Sequence, residues 1–198
     1  AKIEGGPNGA AIGPDGHCYI CNNGGFNYVV SDDGHIRPHG RYDHYAGGSI
    51  QRVDLSTGQV ETLYTHCGKV ALTGPNDLVF DTFGGFYFSD HGKSYDRLLD
   101  RGAVFYALAD GSAIREVVFP MISTNGVGLS PDGKTLYATE TETGRLWAWP
   151  ILSPGNVAKE PWPSPSGGRF IGCATGYQRF DSLAVEANGN ICVGSLVR

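Results

Sequence analysis

The chain has 198 residues, 40% of them hydrophobic, and a formal net charge of −5. That supports one sizeable apolar core and gives no sign of disorder. Lysine and arginine are scattered without a basic block, and no apolar run reaches the length of a membrane span, so neither nucleic acid nor a bilayer is an expected partner.

In chain order, a strand at about residues 9–13 reverses at Pro14-Asp15-Gly16 into a second at about 17–22. A polar stretch from Asn23 to Gly47, rich in His and Tyr, follows, and its 26–46 segment is a candidate lid. Alternating residues on either side of Thr57-Gly58 then predict a hairpin. The pattern returns with strands near 77–81 and 85–89, a loop from Asp90 to Arg101, and a hairpin turning at Asp110-Gly111. A third set has strands near 126–130 and 134–139, then Arg145 to Trp149 and a weaker strand after Pro154-Gly155. Trp147 and Trp149 share one strand face and read as core. A Pro/Ser/Gly-rich connector, Pro161 to Gly176, leads to a last pair of strands. No helical period appears.

The five cysteines are Cys18, Cys21, Cys67, Cys173 and Cys192. An odd number with no signal peptide in front predicts a reducing, cytoplasmic setting and structural cysteines buried in the fold. Cys18 and Cys21 have redox spacing, but positions i and i+3 of a strand point to opposite faces.

Asn8, Asn76, Asn125 and Asp181 each precede a turn glycine by eight positions: Gly16, Gly84, Gly133 and Gly189. Repeats of roughly 40–50 residues, each a four-stranded meander, are the signature of an all-β propeller. One incomplete domain, residues 1–198, holds repeats at about 7–66, 74–120, 124–162 and 180–198, or about three and a half blades. Propellers close with about four to eight. Closure is therefore expected from flanking sequence, or from self-association of copies.

In a propeller the innermost strand of each blade lines the channel, and its entry lies at the channel mouth. The four Asn/Asp residues open these strands, so oxygens from four rigid elements would converge on one axial point. That arrangement suits a hard divalent cation, calcium above all, with Zn, Mn or Mg as alternatives. Each Asn-Gly taken alone is a turn former; the register of all four copies is what points to a site. Strand-end polar residues Asn22, Asn23, Asp90, His91 and Glu140 are candidate pocket residues, solvated caps being the alternative.

The motifs Gly74-Pro75-Asn76-Asp77 with Gly84-Gly85-Phe86-Tyr87-Phe88-Ser89-Asp90, Asn125 to Gly133, and Phe180-Asp181-Ser182-Leu183-Ala184-Val185 resemble the senescence marker protein/gluconolactonase family, six-bladed propellers of the calcium type. The resemblance covers almost the whole chain, as the second to fifth blades. It implies Asn125 and Asp181 as metal ligands, Asn76 as ligand or substrate contact, and Asn8 as a channel-lining residue. It further implies hydrolysis of a small lactone or related ester by water, with Asp181 as general base and Asn76 assisting. Asn8, Asn22, Asp90, His91 and Glu140 would face substrate. Two departures stand out. The family's glutamate ligand has no counterpart, Glu4 being too close to Asn8 to belong to another blade, and Gly74 stands where some members carry an arginine. A non-catalytic binding propeller with structural calcium, or a phosphotriesterase, is the alternative.

Overall fold

The computed structural model describes residues 1–197, and every regular element among them is a strand. β1 (Pro7–Ile12) and β2 (Cys18–Asn22) open the first sheet; β3 (Phe26–Val30) and β4 (Ile36–Arg41) form a separate hairpin. β5 (Ser49–Val53) and β6 (Val60–Tyr64) complete the sheet in the order β1-β2-β5-β6. A short pair, β7 (His66–Cys67) and β8 (Val70–Ala71), leads to β9 (Pro75–Phe80) and β10 (Gly85–Asp90). After the small hairpin β11 (Ser94–Tyr95) and β12 (Leu98–Leu99), β13 (Arg101–Leu108) and β14 (Ile114–Ile122) finish the second sheet. The third contains β15 (Thr124–Leu129), β16 (Thr135–Glu140) and β17 (Arg145–Ser153), with β18 (Asn156–Val157) and β19 (Arg169–Cys173) both paired to β17. β20 (Phe180–Val185) and β21 (Ile191–Ser195) are the last pair. The first strand of each sheet packs on the first strand of the next, β1 on β9, β9 on β15 and β15 on β20. This is the stacking of a β-propeller.

Three sequence expectations are corrected. The stretch 161–176, read as a connector, contains β19, because the third sheet's outer edge is interrupted by an excursion between β18 and β19. The stretch from Asp90 to Arg101, read as a loop, carries the β11–β12 hairpin, much as the polar stretch 23–47 carries β3–β4. Of the cysteines, all free, Cys21 is buried, but Cys173 and Cys192 are exposed at the edges of β19 and on β21.

The core follows strand alternation. β10 reads GFYFSD and is buried throughout, since both its faces are covered. Phe86 and Phe88 pack with Tyr19, Cys21, Ile50 and Tyr64 of the first sheet, whereas Tyr87 joins Val127, Leu136, Trp147 and Trp149 of the third. Both tryptophans predicted as core are buried there.

The four innermost strands share one irregularity. Pro7 pairs with Asn22, Pro75 with Asp90, Thr124 with Glu140 and Phe180 with Ser195, and after each pair the register shifts. Two residues of the inner strand then face one of its neighbour: Asn8-Gly9 face Cys21, Asn76-Asp77 face Ser89, Asn125-Gly126 face Thr139, and Asp181-Ser182 face Gly194. Such a bulge swings side chains out of the regular alternation. Hydroxyls opposite the bulges satisfy the disturbed backbone: Asp77 N donates to Ser89 Oγ at 3.1 Å, and Thr139 Oγ1 donates to Asp181 O at 2.8 Å.

Glycine at the second bulge position serves close approach, not turning. Gly9 and Gly126 do not have positive φ. A Cβ on Gly126 would lie 2.3 Å from Leu183 N, and one on Gly9 2.4 Å from Asn76 O. Gly126→Ala should therefore destabilise the protein by about 1 to 3 kcal/mol through overpacking of backbone against backbone. Urea denaturation tests this; an unchanged midpoint would contradict the close strand approach.

Candidate active site at the channel mouth

The bulges at Asn76 and Asn125 open onto a cavity of ≈ 350 Å³. Its wall includes Asn76, Asn125, Thr141, His91, Glu142 and Arg179, with Phe26, Pro38 and Gly40 of the β3–β4 hairpin closing one side. The segment read as a candidate lid thus forms part of the wall.

Asn125 is 5% exposed. Its Nδ2 donates to Thr141 Oγ1 at 3.0 Å, which fixes the amide and leaves Oδ1 buried with no hydrogen-bond partner. An unpaired buried carbonyl oxygen is costly, and it is a ready ligand for a hard cation. Asn76 is half-buried in the same wall. Asp181, half-buried on β20, lies outside that wall, with its backbone against Gly126. Asn8 is exposed on β1 and belongs to neither group. Glu4 points its carboxylate into solvent, as expected of a residue outside the ring. Among the described residues, no three His, Cys, Asp or Glu side chains gather into a metal-holding cluster. A cation here would draw on carboxamide oxygens beside the one carboxylate.

Three expected substrate residues have another role. Asn22, Asp90 and Glu140 end the second strand of their sheets and turn inward to bind the chain entering the inner strand. Asn22 Oδ1 accepts from Gly6 N (2.9 Å) and Gly24 N (3.0 Å). Asp90 accepts from Thr73 N (2.8 Å), Thr73 Oγ1 (3.0 Å), Gly74 N (2.6 Å) and Gly92 N (2.9 Å). Glu140 accepts from Ile122 N (2.8 Å), Thr143 Oγ1 (2.7 Å) and Trp147 Nε1 (3.1 Å). Their oxygens are occupied, and all three are buried. They form a repeated brace behind three of the four bulges.

His91 remains in the wall. Its Nδ1 lies 3.3 Å from Gly92 O, so the ring is read with Nδ1–H donating and Nε2 free to accept. Burial lowers its pKa from the usual histidine value, which keeps the imidazole neutral near pH 7.

The sequence reading passed over Asp77 as a site residue. It stands where Asn8 and Asn125 are followed by glycine, and its carboxylate crosses to the next sheet, accepting from Val127 N (3.1 Å) and Leu78 N (2.9 Å). Burial raises its pKa from the usual carboxyl value; the two N–H groups oppose that, and the charge of Asp181 adds to it. Arg179 and Glu142 were also missed. Gly74 leaves no room for a larger residue: a Cβ would sit 2.7 Å from Gly92 O.

The hairpin is fastened by Lys93, a fully buried side chain. Its Nζ donates to Gly25 O (2.9 Å) and Asn23 Oδ1 (3.3 Å) and lies 3.5 Å from the Phe26 ring centroid. Asn23, a candidate pocket residue, is thereby tied into this anchor while lining the cavity.

A family model described as the SMP-30/gluconolactonase/LRE-like region matches residues 2–197. The chain belongs to that family. It is 29% identical over 187 residues to lactonase drp35 of Staphylococcus saprophyticus, covering 94% of this chain and 49% of that protein. Lactonase drp35 of Staphylococcus haemolyticus is 34% identical over 118 residues, 60% of this chain and 34% of its own length. The chain spans about half the length, or less, of these curated relatives. Among solved structures, a gluconolactonase of Xanthomonas campestris superimposes with a TM-score of 0.68 at 22% identity, covering 96% of this chain and 56% of that one. Regucalcin of Agrobacterium tumefaciens, described as calcium-binding, gives 0.61 at 19% identity, with coverage of 95% and 66%. These similarities bear on the fold.

Burial pushes the Lys93 amine down from 10.5 to about 8. Between about pH 8 and 10 the unfolded chain then holds a proton that the folded chain has released, so stability contributed by this group rises with pH. We expect the difference in urea midpoint between the wild type and Lys93→Met to move in favour of the wild type from pH 7.5 to 9.5. An identical pH profile in the variant would refute the assignment.

Proposed function

We propose that this chain forms part of a metal-dependent hydrolase that opens a small lactone or related ester with water. The observation that carries the reading is Asn125 Oδ1, buried in the cavity wall with no partner. Asn125, Asp181 and Asn76 would hold the cation. Calcium fits such hard, mixed neutral and anionic oxygens best, ahead of Mg, Mn or Zn. When bound, the ion would supply Lewis-acid polarisation of the lactone carbonyl.

The chain's own groups do the rest. Asn76 orients the substrate with its carboxamide. Asp181 supplies the charge of the site and, as a proton acceptor, is weakened by ligation. Neutral His91, with Nε2 free, is the better acceptor for the proton of the attacking water. The β3–β4 hairpin and Phe26 limit water around the bound ester. The lactonase names of the staphylococcal relatives support this substrate class.

A panel of lactones, assayed by acid release with and without chelator, tests the reading. Hydrolysis should be chelator-sensitive, and Asp181→Ala or Asn125→Ala should lower it at least about a hundredfold, since each removes part of the electrostatic stabilisation. Unchanged calorimetric calcium affinity in Asp181→Ala would sink the ligand assignment.

A further inference from the structure

The β3–β4 hairpin has two chemically different faces. Val30 pairs with Ile36, and Tyr28 with Pro38. Residues directly opposed in an antiparallel pair lie on one face, as do positions two apart, so these four side chains share a side. On the other side Val29 pairs with Arg37. His39, two residues on from Arg37, lines a separate hollow with Asn27, Asp43 and Asp96.

The apolar side is the one that meets the channel mouth. Pro38 and Gly40, two apart on β4, line the cavity together with Phe26. Tyr28, Val30 and Ile36 carry the same face outward past the rim, where they are 62%, 72% and 71% exposed. The hairpin is fastened, so this face is not folded away. At its base Lys93 Nζ holds Gly25 O and Asn23 Oδ1, and the Arg41 guanidinium lies 4.4 Å from the Tyr95 ring centroid. Near its tip Arg37 Nη2 donates to Asp33 Oδ2 at 2.7 Å.

A contiguous apolar stripe held open to water marks a binding surface, and its continuity with the cavity says where the occupant begins. At ≈ 350 Å³ the cavity lies near the lower end of ligand pockets and suits a small head group. A chain attached to that head group has to leave the cavity. Asn76, Thr141 and Glu142 make the opposite wall polar, whereas the hairpin offers apolar contact from Phe26 and Pro38 out to Ile36.

We propose that Tyr28, Val30, Ile36 and Pro38 bind the alkyl substituent of the substrate, so that the site prefers lactones bearing an unbranched hydrocarbon chain on the ring. This inference rests on the hydrolase reading above for the ring, but binding of the chain can be measured without turnover.

The test follows γ-lactones with ethyl, butyl and hexyl substituents. In each, water adds to the carbonyl carbon and the ring oxygen leaves as the alcohol of a 4-hydroxy acid, so acid release reads the whole series. kcat/KM should rise about twofold per added methylene, half the free energy of complete burial, and so at least about tenfold from ethyl to hexyl, chiefly through KM. Val30→Thr combined with Ile36→Thr keeps β-branched residues in the strands and makes the face polar. It should cut the hexyl-to-ethyl ratio to about threefold or less. The readout is a ratio, so any loss of folded protein cancels. A ratio near one in the wild type, or the wild-type ratio in the double variant, would overturn the assignment. Dissociation of a dimer, or loss of sedimentation with phosphatidylcholine vesicles, in a double variant whose ratio is unchanged would give the face to a second copy or to a bilayer instead. If none of the lactones is opened, the hydrolase reading fails, and calorimetric binding of the hexyl lactone decides the face by itself. Binding weakened about fivefold or more in the double variant upholds it; binding that is absent or unchanged refutes it.

Discussion

At two of the three contacts between inner strands, β1 on β9 and β15 on β20, the backbones approach so closely that a methyl group cannot enter between them, and the site is built around that approach. At Gly9 and Gly126 a Cβ would overlap the backbone of the next strand. With no side chain at these positions, β1 and β15 lie directly against the next strand, and the preceding Asn8 or Asn125 leaves the regular alternation of the sheet. The same bulge recurs at Asn76-Asp77 and Asp181-Ser182. There Asp77 uses its carboxylate to cross to Val127 N on the neighbouring strand. Side-chain placement and packing thus come from one local device, repeated with small changes.

Three of the four bulges are supported from behind. Asn22, Asp90 and Glu140 spend their polar atoms on the chain entering the inner strand. Buried polar groups of this kind are stable only when fully satisfied, and satisfied they leave nothing for a substrate. The Lys93 anchor works in the same way one layer out, tying the β3–β4 hairpin to the loop after β10. The mouth therefore has a rigid floor of bulges and braces, a wall fastened through one buried ammonium, and few free polar atoms. Asn125 Oδ1 is one of those.

Much of this was legible in the chain. The constant spacing from Asn or Asp to the turn glycine fixed the strand pairs, and the family resemblance carried Asn76 and Asn125 to the cavity. What the sequence left hidden had physical causes. Asn22, Asp90 and Glu140 look like rim residues because they end strands, and only the backbone N–H groups facing them show that they are occupied. β19 was hidden in a Pro/Ser/Gly-rich stretch, since pairing to β17 overrides weak local preference. Arg179 gave one signal, its place two residues before Asp181, and that becomes visible only when Gly6, Gly74 and Ser123 are set beside it.

The central claim is that bulged inner strands bring Asn76, Asn125 and Asp181 around one cation. Anomalous diffraction from crystals soaked in a lanthanide, which takes the same oxygen ligands as calcium, tests it most directly. The account predicts a single strong peak within bonding distance of Asn125 Oδ1, lost in Asn125→Ala. A strong peak elsewhere in the channel, with none at Asn125, would contradict it.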